Sequence, residues 1–332
     1  MPYNSNADSI SAVRGVSHVA ISDDDGGQRL DNWLLRTLKG VPRSRVYRLL
    51  RKGEVRVNGK RTKPDYRVVA GDDVRLPPLR AAPEPVPHRV PDTLIAAIER
   101  AIVYSDPDVL VLAKPSGLAV HGGSGLSFGV IEALRASRPQ ESLELAHRLD
   151  RDTSGLLLVA RNRTALRTLH ALLREGRIEK RYLALVKGRW NLGKKTIAAP
   201  LATRARQGGE RVVRVHAAGK AADTTFTPVD FYGPRATLLA VEIGTGRTHQ
   251  IRVHAAHAGH PVAGVAKYGD REFNAALRDL GLARMFLHAQ ALSFEWPGSG
   301  KTFAVSAPLP AELAAVLDRL AAHAPRRRRP RR

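Results

Sequence analysis

Six prolines, Pro77, Pro78, Pro83, Pro85, Pro87 and Pro91, fall within a single short stretch of the chain. Proline lacks a backbone donor and locks φ, so neither a helix nor a central strand can run through such a segment. Pro-rich chain forms semi-rigid extended linkers. The 332 residues are therefore expected to divide there. The reading is a lead-in over 1–26, a small domain over 27–76, a linker over 77–91, a large domain over 92–322 and an arginine-rich tail over 323–332.

Charge follows the same division. Lys and Arg number 54 against 31 acids, a net charge of +23. Residues 28–76 alone hold 14 basic against 5 acidic side chains, and Pro325–Arg332 adds six arginines. An excess of this size attracts polyanions, among which nucleic acid is the commonest in cytoplasm. There is no cysteine, which excludes disulfides, thiolate metal sites and cysteine nucleophiles. No apolar run approaches a membrane span of about 18 residues. Met1 to Ala20 lacks the basic head and apolar stretch of a secretory signal. A cytoplasmic protein is expected.

The first 26 residues are polar, and the Asp23-Asp-Asp-Gly-Gly27 run reads as flexible. Gln28–Leu38 has helical spacing in Leu30, Trp33, Leu34 and Leu38. Pro42 and Ser44 open a second helix over Arg43–Lys52, which Gly53 ends. Val46, Leu49 and Leu50 face inward there, leaving the arginines outside. Glu54-Val-Arg-Val alternates and then turns at Asn58-Gly59, a hairpin signal. A last short strand follows Gly71. This small basic unit resembles the RNA-binding S-four domain. The resemblance implies that Arg43, Arg45, Arg48, Arg51 and Lys52 meet RNA phosphates. A solvated charged surface is the plainer alternative.

In the larger domain, strands are expected over Val109–Ala113, Gly155–Ala160, Arg181–Val186 and Thr237–Ile243. Helices are expected over Ser127–Ala136 and Thr164–Arg174, from about Thr248, and over Ala311–Ala322. Leu292–Trp296 and Thr302–Val305 form a terminal hairpin. The alternation is too irregular for a doubly wound parallel sheet, so the fold class is α+β around a mixed, largely antiparallel sheet.

Several signals fail on inspection. Gly298-Ser-Gly-Lys-Thr302 ends like a phosphate loop, but Glu295 stands where the first glycine is needed and a strand follows instead of a helix. His121-Gly-Gly-Ser-Gly125 lacks dinucleotide spacing; a flexible glycine loop beside a site is the better reading. His249, His254, His257 and His260 are not spaced like zinc ligands, so interior or RNA-facing roles are preferred. Ser154 lies near Asp152 and His147 without the nucleophile elbow of a serine hydrolase.

Two segments carry chemistry. The first is Ala146-His-Arg-Leu-Asp-Arg-Asp-Thr-Ser-Gly155, which leads into a buried strand. Two arginines, two aspartates and a histidine between apolar stretches are costly unless the charges pair. A salt-bridged turn is one reading of this segment. The second is Gly244-Thr-Gly-Arg-Thr-His-Gln-Ile-Arg-Val-His254, which offers an Arg to pair with an Asp of the first.

These segments resemble the RluA-type family of pseudouridine synthases, with its signatures His-Arg-Leu-Asp-x-x-Thr-Ser-Gly and Gly-Arg-Thr-His-Gln-Ile-Arg-Val-His. Lys114-Pro-Ser-Gly117 and Lys180-Arg-Tyr-Leu-Ala184 match two further family stretches. Within the family, Ala119–Glu132, Gly209–Val215 and Tyr268–Phe273 point to a branch acting on large-subunit ribosomal RNA.

The resemblance implies the pseudouridine synthase fold. It implies isomerisation of specific uridines, three of them, in 23S ribosomal RNA. Asp150 is then the nucleophile, and Arg148 enters the RNA to hold the uridine out of its stack. Tyr182 stacks on uracil and assists proton movement, and Arg252 is the ionic partner of Asp150. Arg151 and Asp152 fall at variable positions. The chemistry is redox-neutral and adds nothing, so no cofactor and no metal are expected. A neighbouring Arg favours the ionised carboxylate, and an unstacked base costs a few kcal/mol that inserted side chains offset. A non-catalytic ribosome-binding factor and the same chemistry on tRNA are the alternatives. The tail is expected to add salt-sensitive RNA affinity, and the protein to act as a monomer.

Overall fold

The computed structural model of the chain describes residues 15–38, 40–79, 89–122, 128–205 and 211–323. The arginine-rich tail from residue 324, residues 80–88 of the Pro-rich stretch, most of the His121–Gly125 loop and the Gly209–Glu210 start of one family stretch lie outside them. The chain separates into two compact units, Met1–Arg89 and Val90–Arg332.

The first unit contains β1 (Ser17–Ala20), a 3-10 turn (Asp23–Asp25), α1 (Leu30–Thr37), α2 (Arg43–Lys52), β2 (Arg56–Val57), β3 (Lys60–Arg61) and β4 (Asp73–Leu76). Its sheet runs β1-β4-β2-β3. Asn58 and Gly59 both take positive φ, 49° and 74°, as a two-residue hairpin turn matching strand twist requires. Gly53 closes α2 in the left-handed conformation, which a residue without Cβ adopts at no steric cost.

One expectation needs correcting here. Residues 17–25 are not a loose lead-in. Val19 pairs with Val74 across β1 and β4. Asp25 is buried and accepts hydrogen bonds from Trp33 Nε1 at 3.1 Å and Arg36 at 2.6 Å. Pairing with a distant strand ordered a segment whose local pattern is weak.

The second unit contains α3 (Asp92–Arg100), β5 (Ile102–Ser105), β6 (Val109–Lys114), α4 (Val130–Ser137), β7 (Glu144–Leu145), β8 (Ser154–Ala160), α5 (Arg163–Arg174) and β9 (Glu179–Lys187). It continues with β10 (Lys195–Ala198), β11 (Leu201–Ala205), β12 (Arg211–Val215), β13 (Asp223–Tyr232), β14 (Ala236–Ile243), α6 (Gln250–His257), α7 (Arg271–Asp279), β15 (Leu287–Glu295), β16 (Thr302–Ser306) and α8 (Ala311–His323). Its main sheet runs β10-β13-β14-β9-β15-β8-β6-β5, with β16 on β15 and β7 on β8. Among the described strands only β15 and β8 pair in parallel, so the sheet is mixed and largely antiparallel. No described helix is long and apolar enough to cross a membrane.

Period-two alternation sorts the strands between two faces. Leu157 and Val159 of β8 join Tyr182, Ala184 and Val186 of β9 in a core covered by residues of α3, α4 and α6. Leu156, Leu158 and Ala160 face α5 on the other side. Burial on both faces explains why β8 reads as one continuous apolar run. The central parallel pair also explains Gly155. Its φ is +109°, and a Cβ there would lie 2.2 Å from the Ala289 carbonyl oxygen. Only glycine lets β8 and β15 meet at that point.

Candidate active site

The turn before β8 places its charges outward and does not pair them with one another. Arg151 donates from Nε to the Gly117 carbonyl at 2.9 Å. Its own carbonyl accepts from the Gly117 N–H at 2.9 Å and from Lys114 Nζ at 3.0 Å. Ser116 Oγ donates to the Asp152 carbonyl at 2.7 Å. The salt-bridged-turn reading therefore gives way to a turn latched onto the Lys114–Leu118 segment. Lys114 is the buried centre of this latch. It also donates to the carbonyls of Pro115 at 2.8 Å and Leu118 at 2.9 Å. Burial pushes its ammonium down to about 8, while Asp152 and Asp150 pull the other way.

The latch leaves Asp150 free to meet the second segment. Its Oδ2 lies 3.4 Å from Arg252 Nη1 on α6 and 4.0 Å from His249 Nε2. Arg148, Asp150, Tyr182, Arg252 and His249 line one cleft with Thr153, Ile243 and Leu287. The four residues expected from the sequence as the reacting group thus come together. Arg148 is exposed at this cleft and has no hydrogen-bond or ion-pair partner among the described residues. Tyr182 is 6% exposed. Burial, and then the charge of Asp150, push its phenol up.

Two hydrogen-bonded residues fix α6. Gln250 accepts from Thr245 Oγ1 at 2.6 Å and donates to the Asp223 carbonyl at 2.7 Å. His254, fully buried, bridges Thr224 Oγ1 and the Ala199 carbonyl, each at 2.9 Å. His254 is thus an interior histidine. The helix begins at Gln250 rather than Thr248, because His249 takes φ +56°.

His147 and Ser154 also serve the fold. Nε2 of His147 accepts the Leu158 N–H at 3.0 Å, and burial pushes the ring down to about 4, reinforced by Lys180. Ser154 Oγ lies 3.0 Å from His288 Nδ1, both buried. The Gly298–Lys301 segment is the turn between β15 and β16.

Sequence reasoning gave His249 only an interior or RNA-facing role and gave Tyr268 and Lys114 none, although each stands inside a quoted family stretch. Tyr268 Oη lies 2.9 Å from His249 Nδ1, and its ring lies 5.2 Å beneath the Arg252 guanidinium. Its distance along the chain from Asp150 gave no local signal.

The basic residues of α2 belong to the other unit. Arg43, Arg48, Arg51 and Lys52 are exposed, and Arg43 sits 5.6 Å over the Tyr47 ring. Arg45 departs from the expectation. It is half-buried, and its Nε is enclosed without a hydrogen-bond partner among the described residues.

Comparison with known proteins supplies the context. A family model described as RNA pseudouridylate synthase matches residues 108–257, and one for the S4 domain matches residues 28–74. The ribosomal large subunit pseudouridine synthase C of Salmonella typhi is 54% identical over 307 residues, spanning 91% of this chain and 96% of that protein. The protein of the same name from Escherichia coli (strain K12) is 54% identical over 309 residues, spanning 92% and 97%. Among solved structures, human RNA pseudouridylate synthase domain containing 1 aligns with a TM-score of 0.52 and 28% identity over 63% of this chain and 83% of that one. Human RNA pseudouridylate synthase domain containing 4 aligns with a TM-score of 0.56 and 24% identity over 69% and 96%.

Proposed function

This chain belongs to the RNA pseudouridylate synthase family, and from that premise we propose that it converts specific uridines of 23S ribosomal RNA to pseudouridine with Asp150 as nucleophile. The N1–C1′ bond of the nucleoside breaks and a C5–C1′ bond forms. C5 loses a proton and N1 gains one, so nothing is oxidised and no metal or cofactor is required. The protein acts as a monomer in the cytoplasm, where its substrate is.

The observation that carries this reading is the Asp150–Arg252 contact of 3.4 Å in a cleft shared with Tyr182 and Arg148. The guanidinium sets a positive charge beside the carboxylate and orients it in the cleft, where a carboxylate can act as a nucleophile. Arg148, exposed at the cleft and without a partner among the described residues, enters the RNA and offsets the few kcal/mol that unstacking the uridine costs. Tyr182 then offers a ring face on which the detached uracil can turn. The 14 basic residues of 28–76 supply sequence-independent phosphate affinity, and the arginine-rich tail adds to it.

The test is to incubate the purified protein with unmodified large-subunit RNA and map pseudouridine chemically. Product at three uridines is expected from the native protein, and none from Asp150→Ala. Abundant product from that variant would sink the nucleophile assignment. Tight RNA binding without isomerisation by the native protein would sink the enzymatic reading altogether.

A further inference from the structure

The geometry points to Tyr268 and His249 as positioning residues that together aim an imidazole N–H at the Asp150 carboxylate. The inference rests on the reading of Asp150 as the reacting group. It begins with hydrogen-bond bookkeeping. The Val213 N–H of β12 donates to Tyr268 Oη at 3.0 Å, so that oxygen is already an acceptor. Its own O–H remains to be given, and His249 Nδ1 lies 2.9 Å away.

The other ring nitrogen settles the direction. Nε2 of His249 faces Asp150 Oδ2 at 4.0 Å, and a carboxylate can only accept. A lone pair turned toward it would be repelled. The arrangement in which every group is satisfied carries the proton on Nε2 and leaves Nδ1 to accept from the tyrosine. The order is Val213 N–H to Tyr268, Tyr268 O–H to His249, His249 Nε2–H toward Asp150. Burial pushes the imidazole below its ordinary value, while Asp150 opposes this and Arg252, Lys267 and Arg148 reinforce it. The ring is therefore a neutral donor.

Two further observations agree. His249 is one of two non-glycine residues with positive φ among the described residues. A left-handed residue that is not glycine is strained and persists where its surroundings dictate it, often at functional sites. Here the twist at the start of α6 points the imidazole into the cleft. Tyr268 also lies beneath Arg252 at 5.2 Å. One tyrosine thus braces both groups that flank Asp150, the histidine by its hydroxyl and the arginine by its ring face.

The experiment uses the full-length protein on a large-subunit RNA fragment, with kcat and KM measured separately. His249→Asn tolerates the left-handed backbone but is too short to reach Asp150. It should lower kcat about tenfold, with KM for RNA unchanged. His249→Gln is long enough to offer an N–H and should restore most of that loss. Tyr268→Phe keeps the ring under Arg252 and should also lower kcat alone. Joined to His249→Asn, it should add no further loss. Equal loss in the Asn and Gln variants, a rise in KM at constant kcat, or multiplying losses would each overturn the proposal. Should His249→Asn fail to fold, Tyr268→Phe and His249→Gln are judged by the same kcat and KM criteria. Asp150→Asn runs alongside. Product from it overturns the reading of Asp150, whereas its inactivity beside a fully active His249→Asn overturns only the positioning role.

Discussion

Each unit of this protein holds an arginine paired with an aspartate close to a tyrosine, and the two are built to opposite ends. In the first unit Asp31 is 2% exposed. Arg29 grips it with two hydrogen bonds, at 3.0 and 2.8 Å. The Asn32 N–H adds a third at 2.9 Å and Tyr47 Oη a fourth at 2.9 Å. The Arg29 hydrogen bond holds the carboxyl below its usual range, joined by Tyr47 and Asn32 and opposed by burial. In the second unit Asp150 has one long contact to Arg252 and a histidine at 4.0 Å, and Arg252 Nε is buried without a partner among the described residues. A saturated carboxylate holds a fold together. A carboxylate with acceptor capacity left over, in a cleft, is available to something else. A buried group left unsatisfied calls for an explanation, and the proposed reaction at Asp150 would supply one.

The contrast breaks first at activity. Asp150→Asn should reduce pseudouridine formation by on the order of 1,000-fold or more, while its urea midpoint stays near that of the native protein. Asp31→Asn should do the reverse. It should cost the first unit about 1–3 kcal/mol, read as a lower midpoint, and leave kcat on saturating RNA unchanged. Equal activity losses in the two variants would erase the distinction between the pairs.

Acid should separate the units next. His147 is pushed down to about 4 by burial, and His254 and His288 are lowered as well. Above their ordinary value both folded and unfolded rings are neutral. As pH falls below it, the unfolded chain takes up protons that the folded second unit refuses. Stability therefore declines from roughly pH 6.5 and levels off once the folded rings protonate, with each ring contributing at most about 1.4 kcal/mol per pH unit. The first unit depends on the lowered carboxyls of Asp31 and Asp72, whose contribution is complete above their unfolded value near 4 and is lost only below it. Native-state hydrogen exchange at pH 7 and 5 should show weakened protection at Leu158 and unchanged protection at Leu34. Parallel loss at both sites would refute this.

The smallest effect concerns the exposed face of α2. Arg48→Ala should weaken RNA binding across sequences and reduce the salt slope by about one, with kcat unaltered. An unchanged slope would mean that Arg48 touches no phosphate.

Local elements were legible where one rule sufficed. The α2 helix begins and ends at the expected residues, Arg43 and Lys52, because proline, apolar spacing and glycine agree. Asn58-Gly59 announced its own turn. By contrast, β13 escaped notice, since Pro228 interrupts its pattern where the register shifts at a bulge between Pro228 and Asp230. The short β10, with three of its four residues exposed, carries almost no apolar signal. Likewise β1 is ordered only by its partner β4.

The sequence by itself determined the division into a basic small unit and a larger α+β unit, and it singled out Asp150, Tyr182, Arg252 and Arg148. Each stands in a stretch of residues that local chemistry or family likeness marks. Tertiary structure decided the rest. Arg252 reaches Asp150 across a separation of 102 residues, and Tyr268 meets Val213 across 55. Such contacts arise when β8 and β15 pair within the sheet and α6 packs upon it, and no spacing along the chain encodes a distance that only packing creates.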